Sequence, residues 1–425
     1  MFHVKSILSL SIFLFLLLPI EETMAQHLIS DIKINPLKRT KHDYLLRFVD
    51  SKIGEPLNIE KLDNDLQRLK NLNAIVNGTY TLDTIDQQVN IHFQLQEGLT
   101  LFPLINFGGV KGNFWYQLGM NDDNWRGRGQ KLTTFYQNTD GRSNFNIYYK
   151  IPQFKRSKWG GSVSAFRWAS IEPLFFADGT VFYDYDNVSF GLTSIFTMNR
   201  KDVLEFGTTY FVENYEKNDR HTGTTTSGPL SLRQPKFLTK AIYRHTNLKY
   251  HYYFLSGFDN ELSIQTVYNF YDQSQFHILL NNARYFLRFN EKGNLAVRLR
   301  IGLASNKDSP FAPFVLDSYI NIRGSGNRIE RGTAALVLNT EYRETVFENK
   351  RFASQLVAFL DMGTWRDPGG NLEEMVDYES LQPFIGLGTR FIYKEAYNLI
   401  LRIDYGVDIK NINRRGLVLG IGQYF

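Results

Sequence analysis

Cysteine is absent from the 425 residues. No disulfide framework and no thiolate metal site can form, and thiols say nothing about the redox compartment. The 8 histidines are scattered, without the His-Glu-x-x-His spacing a zinc site uses. A Gly-x-Ser-x-Gly elbow and a Walker loop are missing as well. These absences point away from catalysis, and no metal or cofactor is expected. One sign of charge is not in marked excess either. The 48 basic and 43 acidic residues leave +5, spread along the chain. A nucleic-acid surface needs basic residues clustered on one face, so no nucleic-acid partner is expected. After residue 25 no stretch approaches the ~18 consecutive apolar residues of a transmembrane helix.

The one long apolar run lies at the start. Lys5 precedes an apolar core from Ile7 to Ile20, and Thr23-Met24-Ala25 offers a small residue at a cleavage point. Residues 1–25 therefore read as a secretory signal peptide. An uncleaved anchor is the alternative, but the run is shorter than the ~20 residues a spanning helix needs. No cysteine follows the cut to carry a lipid anchor.

Residues 26–97 read as a small α+β unit. Residues 28–34 alternate and suit a strand. Thr40 can cap a first helix, with Asp43 three residues on as an imperfect capping box. Gly54 and Pro56 interrupt the chain. Asn58 can cap a second helix, whose Leu62, Leu66 and Leu69 share a face. Strands over 74–82 and 89–96 complete the order β-α-α-β-β.

From residue 98 to 425 the pattern changes. Segments of about ten residues alternate apolar with polar or small, separated by turn residues, as in a transmembrane β-barrel. In 294–304, Leu295, Val297, Leu299, Ile301 and Leu303 oppose Arg298, Arg300 and Gly302. Such alternation keeps the average near neutral, so the mean hydropathy of -0.30 does not argue for a soluble protein. The 24 Tyr and 34 Phe suit interfacial girdles. About sixteen segments can be placed, an even number as expected for bacterial barrels. Longer loops fall at 171–184, 217–235, 306–332 and 366–381. The last segment ends in Phe425, which alternation puts on one face with Leu417, Leu419 and Ile421, opposite Gly420 and Gly422. The expected fold is thus mainly β: an antiparallel barrel of about 16 strands after one α+β domain.

Several stretches, taken in order, resemble known families. Residues 26–97 resemble a POTRA domain, a periplasmic module that precedes barrels. Asp122-Asp123-Asn124-Trp125-Arg126-Gly127-Arg128-Gly129 looks like a D-N-W-x-G-x-G turn. Ile322-Arg323-Gly324 is similar to a V-R-G-F/Y loop, and Phe359-Leu360-Asp361-Met362-Gly363 to an F-x-D-x-G strand. With the C-terminal aromatic, these resemble the outer-membrane assembly and transport superfamily that includes BamA, TamA and FhaC. Ser325 departs from it, standing where the family prefers an aromatic, and one POTRA module stands where relatives have several.

The resemblance implies an outer-membrane protein that assists insertion or translocation of other proteins, with its N-terminal domain in the periplasm. Its partners would be unfolded outer-membrane or secreted proteins, the lipid bilayer and accessory lipoproteins. A passive secretion channel or an accessory barrel is the alternative. Alternation places Glu341 and Asp361 toward the lumen, so Arg323 can pair with either or both while Gly324 turns the loop and Gly363 leaves room. These five residues form a candidate lumenal latch. Gly108 and Gly109 in the first strand, with Gly420, Gly422 and Phe425 in the last, mark a candidate weak seam, because glycine packs poorly in strands.

Overall fold

The computed structural model describes residues 27–425 apart from 111–112, 140, 156, 222, 252, 307–310, 316–320, 327–330 and 397–398. The signal peptide expected over 1–25 lies outside the described residues.

The N-terminal unit holds strands β1 (Leu28–Ile34), β2 (Ile75–Ile85) and β3 (Gln88–Glu97), a short helix His42–Leu45 and a longer helix Ile59–Lys70. The sheet order is β1-β3-β2, with β1 parallel and β2 antiparallel to β3. Leu62 and Leu69, on one face of the longer helix, are fully buried against Ile91 and Phe93. Asn58 caps that helix by accepting from the Lys61 N–H at 2.9 Å. The first helix differs from expectation. Lys41 stands at its N-cap with no side-chain bond, because the Thr40 hydroxyl is engaged by Glu97 instead.

The remainder is one antiparallel sheet of sixteen strands. They are β4 (Leu101–Val110), β5 (Asn113–Trp125), β6 (Gln130–Thr139), β7 (Arg142–Ile151), β8 (Trp159–Phe176), β9 (Gly179–Thr197), β10 (Asp202–Lys217), β11 (Ser231–His251), β12 (Phe254–Asn269), β13 (Gln275–Phe289), β14 (Gly293–Ala304), β17 (Ala334–Glu348), β18 (Phe352–Arg366), β19 (Gln382–Tyr393), β20 (Ile400–Asp408) and β21 (Arg415–Ile421). Two-residue strands β15 (Phe314–Val315) and β16 (Arg331–Gly332) pair within the loop after β14. Each neighbour in sequence is a neighbour in the sheet. The sheet is curled, and Leu99, just before β4, donates to the Glu395 carbonyl in the turn before β20 at 3.2 Å.

Side-chain burial inverts the soluble pattern. On β14 the exposed side carries Leu299, Ile301 and Leu303, while the enclosed side carries Arg298. On β21 the exposed apolar residues are Leu417, Leu419 and Ile421. An apolar exterior around a polar interior suits a barrel in lipid and not a sandwich in water.

Two expectations about strand limits fail. Residues 171–184 are not a long loop: Ile171 pairs with Asp184, and the pairing runs on to Phe176 and Gly179. The strands run on past the expected turn because Leu174, Val181 and Tyr183 bury together on the inner side of the hairpin, a cluster that also takes in Tyr215 of β10. The second failure concerns the C-terminus. β21 stops at Ile421, and Gly422, at φ +90°, turns the chain away from the strand. Tyr424 and Phe425 are buried with Phe286 and Ala296. Phe425 therefore does not share the lipid face of Leu417.

Candidate functional site

The loop after β14 dips into the lumen at Ile322-Arg323-Gly324. Arg323 and its partners Glu341 on β17 and Asp361 on β18 have fully buried side chains. The guanidinium meets Asp361 as a fork: Nε donates to Oδ2 at 2.8 Å and Nη2 to Oδ1 at 2.9 Å. Its Nη1 donates to Glu341 Oε2 at 2.5 Å, and its backbone N–H to Asp361 Oδ2 at 2.9 Å. Arg323 thus pairs with both carboxylates that alternation turns inward. Planar, multidentate contact of this type fixes orientation in a way a lysine cannot.

Glycines make the seat. Gly324 has φ +92°, and a Cβ there would meet the Gly406 carbonyl oxygen at 2.5 Å. A Cβ at Gly406 would lie 2.2 Å from the Arg323 carbonyl oxygen. Gly363 leaves space in the same way for Ile322.

Around the latch the cations outnumber the anions. Arg298, Arg343, Arg390 and Arg402 surround Arg323, against Glu341, Asp361 and Asp404, and all are buried. Arg343 reaches Glu341 at 2.5 Å, and Arg390 reaches Asp404 at 2.7 Å. Asn339 joins the layers, donating to Asp361 at 2.8 Å and accepting from Arg298 Nε at 3.0 Å. Ring faces supply further compensation. The Arg323 guanidinium lies 3.7 Å from the Phe359 centroid and 4.3 Å from that of Tyr424. Tyr424 also faces Arg298 at 5.3 Å and Arg402 at 5.0 Å. Aromatic rings attract cations through their quadrupole. The tail thus brings to Arg323 the aromatic contact that Ser325, whose hydroxyl bonds the Ile322 carbonyl at 2.8 Å, does not.

The candidate seam residues scatter. Gly108 and Gly109 pair with Trp115 and Phe114 near the tip of the β4–β5 hairpin. Gly420 lies in β21, where its missing Cβ leaves room for Arg402. Gly422 lies beyond the strand, and Phe425 sits in the lumen, so neither belongs to a strand edge. β4 and β21 are the edges of the sheet, and no backbone pairing joins them among the described residues.

A second polar cluster joins the N-terminal unit to the barrel rim. Glu97 accepts from the N–H groups of Arg39 and Thr40 at 3.0 and 2.7 Å. Arg39 Nη2 donates to Asp122 at 2.7 Å, and Asn124 Nδ2 to the Thr40 hydroxyl at 2.8 Å. The Lys41 N–H donates to the Gly127 carbonyl at 2.9 Å. Gly127, at φ +72°, leaves no room for a Cβ beside the Arg39 carbonyl. Burial pushes the Glu97 carboxyl up, but the Thr40 hydroxyl and the backbone N–H groups outweigh it and hold its pKa below the ordinary glutamate value. On the other side of the rim, Asn71 Nδ2 donates to the Leu248 carbonyl at 2.9 Å.

Comparison with known proteins follows the two units. Residues 27–98 match the POTRA model, described as a surface antigen variable number repeat. Residues 27–98 are a POTRA domain. The whole chain is similar to the crystal structure of Haemophilus ducreyi BamA lacking POTRA domains 1–3, at 15% identity and TM-score 0.53, over 92% of this chain and 83% of that one. It is also similar to CdiB from Acinetobacter baumannii, at 12% identity and TM-score 0.56, over 94% and 74%. CdiB from Escherichia coli matches at 10% identity and TM-score 0.54, over 93% and 75%. No curated protein matches by sequence. The chain is a POTRA domain followed by a barrel with the BamA and CdiB fold, as the sequence resemblance implied.

Within that frame, the Asp122-to-Gly129 stretch gains a position: it is the turn on which the POTRA domain docks. Sequence reasoning noted the turn but assigned it no site residue, since its partners lie about 85 residues earlier, as between Arg39 and Asp122. Arg298, Asn339, Arg343, Arg390, Asp404 and Tyr424 were missed at the latch. Their signal was available in part: each except Tyr424 occupies an inward strand position where a charged or amide side chain needs a partner.

Proposed function

We propose that this protein assists the insertion or translocation of other proteins at an outer membrane, with the POTRA domain on the periplasmic side. The observation that carries the reading is the pairing of two features: a POTRA domain docked on the barrel rim, and a sheet whose edge strands β4 and β21 are not joined by backbone pairing among the described residues. An edge strand presents unpaired N–H and C=O groups, which is a template for an incoming strand. The short β21, only 7 residues long because the tail leaves at Gly422, shortens that edge further. Unfolded barrel proteins or secreted proteins are the substrates such an edge would take, and accessory lipoproteins are candidate partners.

The competing reading is a passive secretion channel that conducts a chain through the lumen without opening its wall. The polar lumen supports it. Depletion in the host, followed by a proteome of its outer membrane, separates the two. Loss of many barrel proteins supports assembly; loss of one secreted protein with barrels unchanged overturns it. Reconstituted folding of a model barrel in vesicles gives the same decision in vitro.

A further inference from the structure

The outer face of the wall from β7 to β10 is not uniform. One cross-strand row reads Ile151, Gly161, Ser194 and Phe206, each paired with the next. Side chains directly opposite in such a row stand about 5 Å apart. The two small residues at its centre therefore leave a trough between Ile151 and Phe206. The next row away from the POTRA domain, Tyr149, Val163, Leu192 and Thr208, continues the trough as a groove of about 600 Å³. Val163, Leu192 and Phe206 are exposed, so this groove is on the apolar exterior. Phe154 of the β7–β8 turn folds over its near end, with its ring 3.3 Å from where a Cβ on Gly161 would stand.

The near end opens at an aromatic rim. Trp159 and Phe196 pack with ring centroids 4.7 Å apart, and Trp159 and Phe154 are exposed. Such residues gather at the headgroup level of a bilayer. Just beyond the rim the turns are basic. Lys155 and Lys158 on the β7–β8 turn and Lys201 on the β9–β10 turn are exposed, and no acidic residue stands between Ile151 and Trp159. Lys158 Nζ donates to the Met198 carbonyl at 3.3 Å and so bridges the two turns. The Lys155 and Lys201 side chains have no partner among the described residues. The nearby acids are engaged elsewhere: Asp202 by Tyr243 at 2.6 Å and His245 at 2.7 Å, Asp50 by Arg68 at 3.1 Å and by Arg200. Cations on other turns at this end are matched, Arg351 by Glu395 and Lys394 by Glu348.

An apolar groove, an aromatic rim and then unmatched ammonium groups repeat the order of parts in a phospholipid. We propose that this wall is a binding site for an anionic phospholipid of the leaflet on the POTRA side, with an acyl chain in the groove and the phosphate on Lys155, Lys158 and Lys201. Lysine binds phosphate as a point charge, and basic clusters at a membrane surface attract anionic lipid. The inference needs only a barrel in a bilayer and is independent of what the protein does to other proteins.

Native mass spectrometry of the full-length protein, released from nanodiscs of equal phosphatidylglycerol and phosphatidylethanolamine with the same acyl chains, tests it. The native chain is expected to retain phosphatidylglycerol several-fold over phosphatidylethanolamine. Lys155→Gln with Lys158→Gln and Lys201→Gln should bring the ratio close to one. Equal retention of the two lipids by the native chain, or a preference unchanged in the triple variant, overturns the proposal. Should the triple variant fail to fold, the groove can be filled after folding. The chain has no cysteine of its own, so Ser194→Cys can be folded first and then alkylated with a bulky apolar maleimide. Loss of retained phosphatidylglycerol on alkylation supports the site, and retention unchanged by alkylation overturns it.

Discussion

At the scale of the residue, the latch sets the strongest expectations. Arg323→Ala leaves Asp361 buried without its cation and takes from Glu341 one of its two close cations, Arg343 being the other. Stranding buried charges costs about 3–5 kcal/mol, so we expect loss of loop order and of activity. Limited proteolysis of the loop after β14 checks it, and a loop cleaved no faster than in the native protein would count against the latch. Arg323→Lys should fail to rescue, because one ammonium cannot replace a fork that meets Asp361 through two nitrogens and Glu341 through a third. Gly406→Ala tests the seat separately from the charges. Its Cβ would occupy the space of the Arg323 carbonyl, so the same loop should become protease-sensitive with every ion-pair partner intact.

Elements come next, and here the joint between the POTRA domain and the β5–β6 turn decides the outcome. Asp122→Ala removes the acceptor of both Arg39 and Thr100. Cleavage between the two domains should then accelerate while the barrel itself stays folded. The joint also carries a pH dependence. Glu97 has a folded pKa below the ordinary glutamate value, held there by the Thr40 hydroxyl and the backbone N–H groups against the opposing effect of burial. Its contribution is therefore present above the ordinary glutamate range and is lost as pH falls through the lowered folded value. Protease sensitivity of the joint, followed from neutral pH downward, should rise on that acid limb. A Glu97→Gln protein should be sensitive already at neutral pH and lose the limb. A limb that survives the substitution would assign the effect to another group.

For the whole molecule, the open question is movement at the seam between β4 and β21. With no native cysteine to interfere, one cysteine in each edge strand can be oxidised to a bridge. If the seam opens to receive a strand, the bridge abolishes reconstituted folding activity and reduction restores it. Full activity with the bridge formed would favour a lumenal route.

Much of this architecture could be read from residue order, for identifiable reasons. Period-two alternation follows directly from strand geometry, so Leu299 outward and Arg298 inward were legible, as were Glu341 and Asp361 facing the lumen. The longer POTRA helix was legible from Asn58 and the spacing of Leu62 and Leu69, because capping and helical periodicity act within a few residues. Long-range choices were not. Thr40 has the chemistry of a cap, yet Glu97, fifty-seven residues on, claims its hydroxyl. Phe425 has the alternation of a strand residue, yet the turn at Gly422 sends it into the lumen, where Arg298 and Arg343 offer a cation for its ring. Sequence by itself determined the type and number of strands and their two faces, with Glu341 and Asp361 turned inward, because each depends on local backbone period. Tertiary structure alone decided which arginines crowd the latch, where the tail goes and which turn the POTRA domain grips, because those depend on which distant groups share a low-dielectric interior.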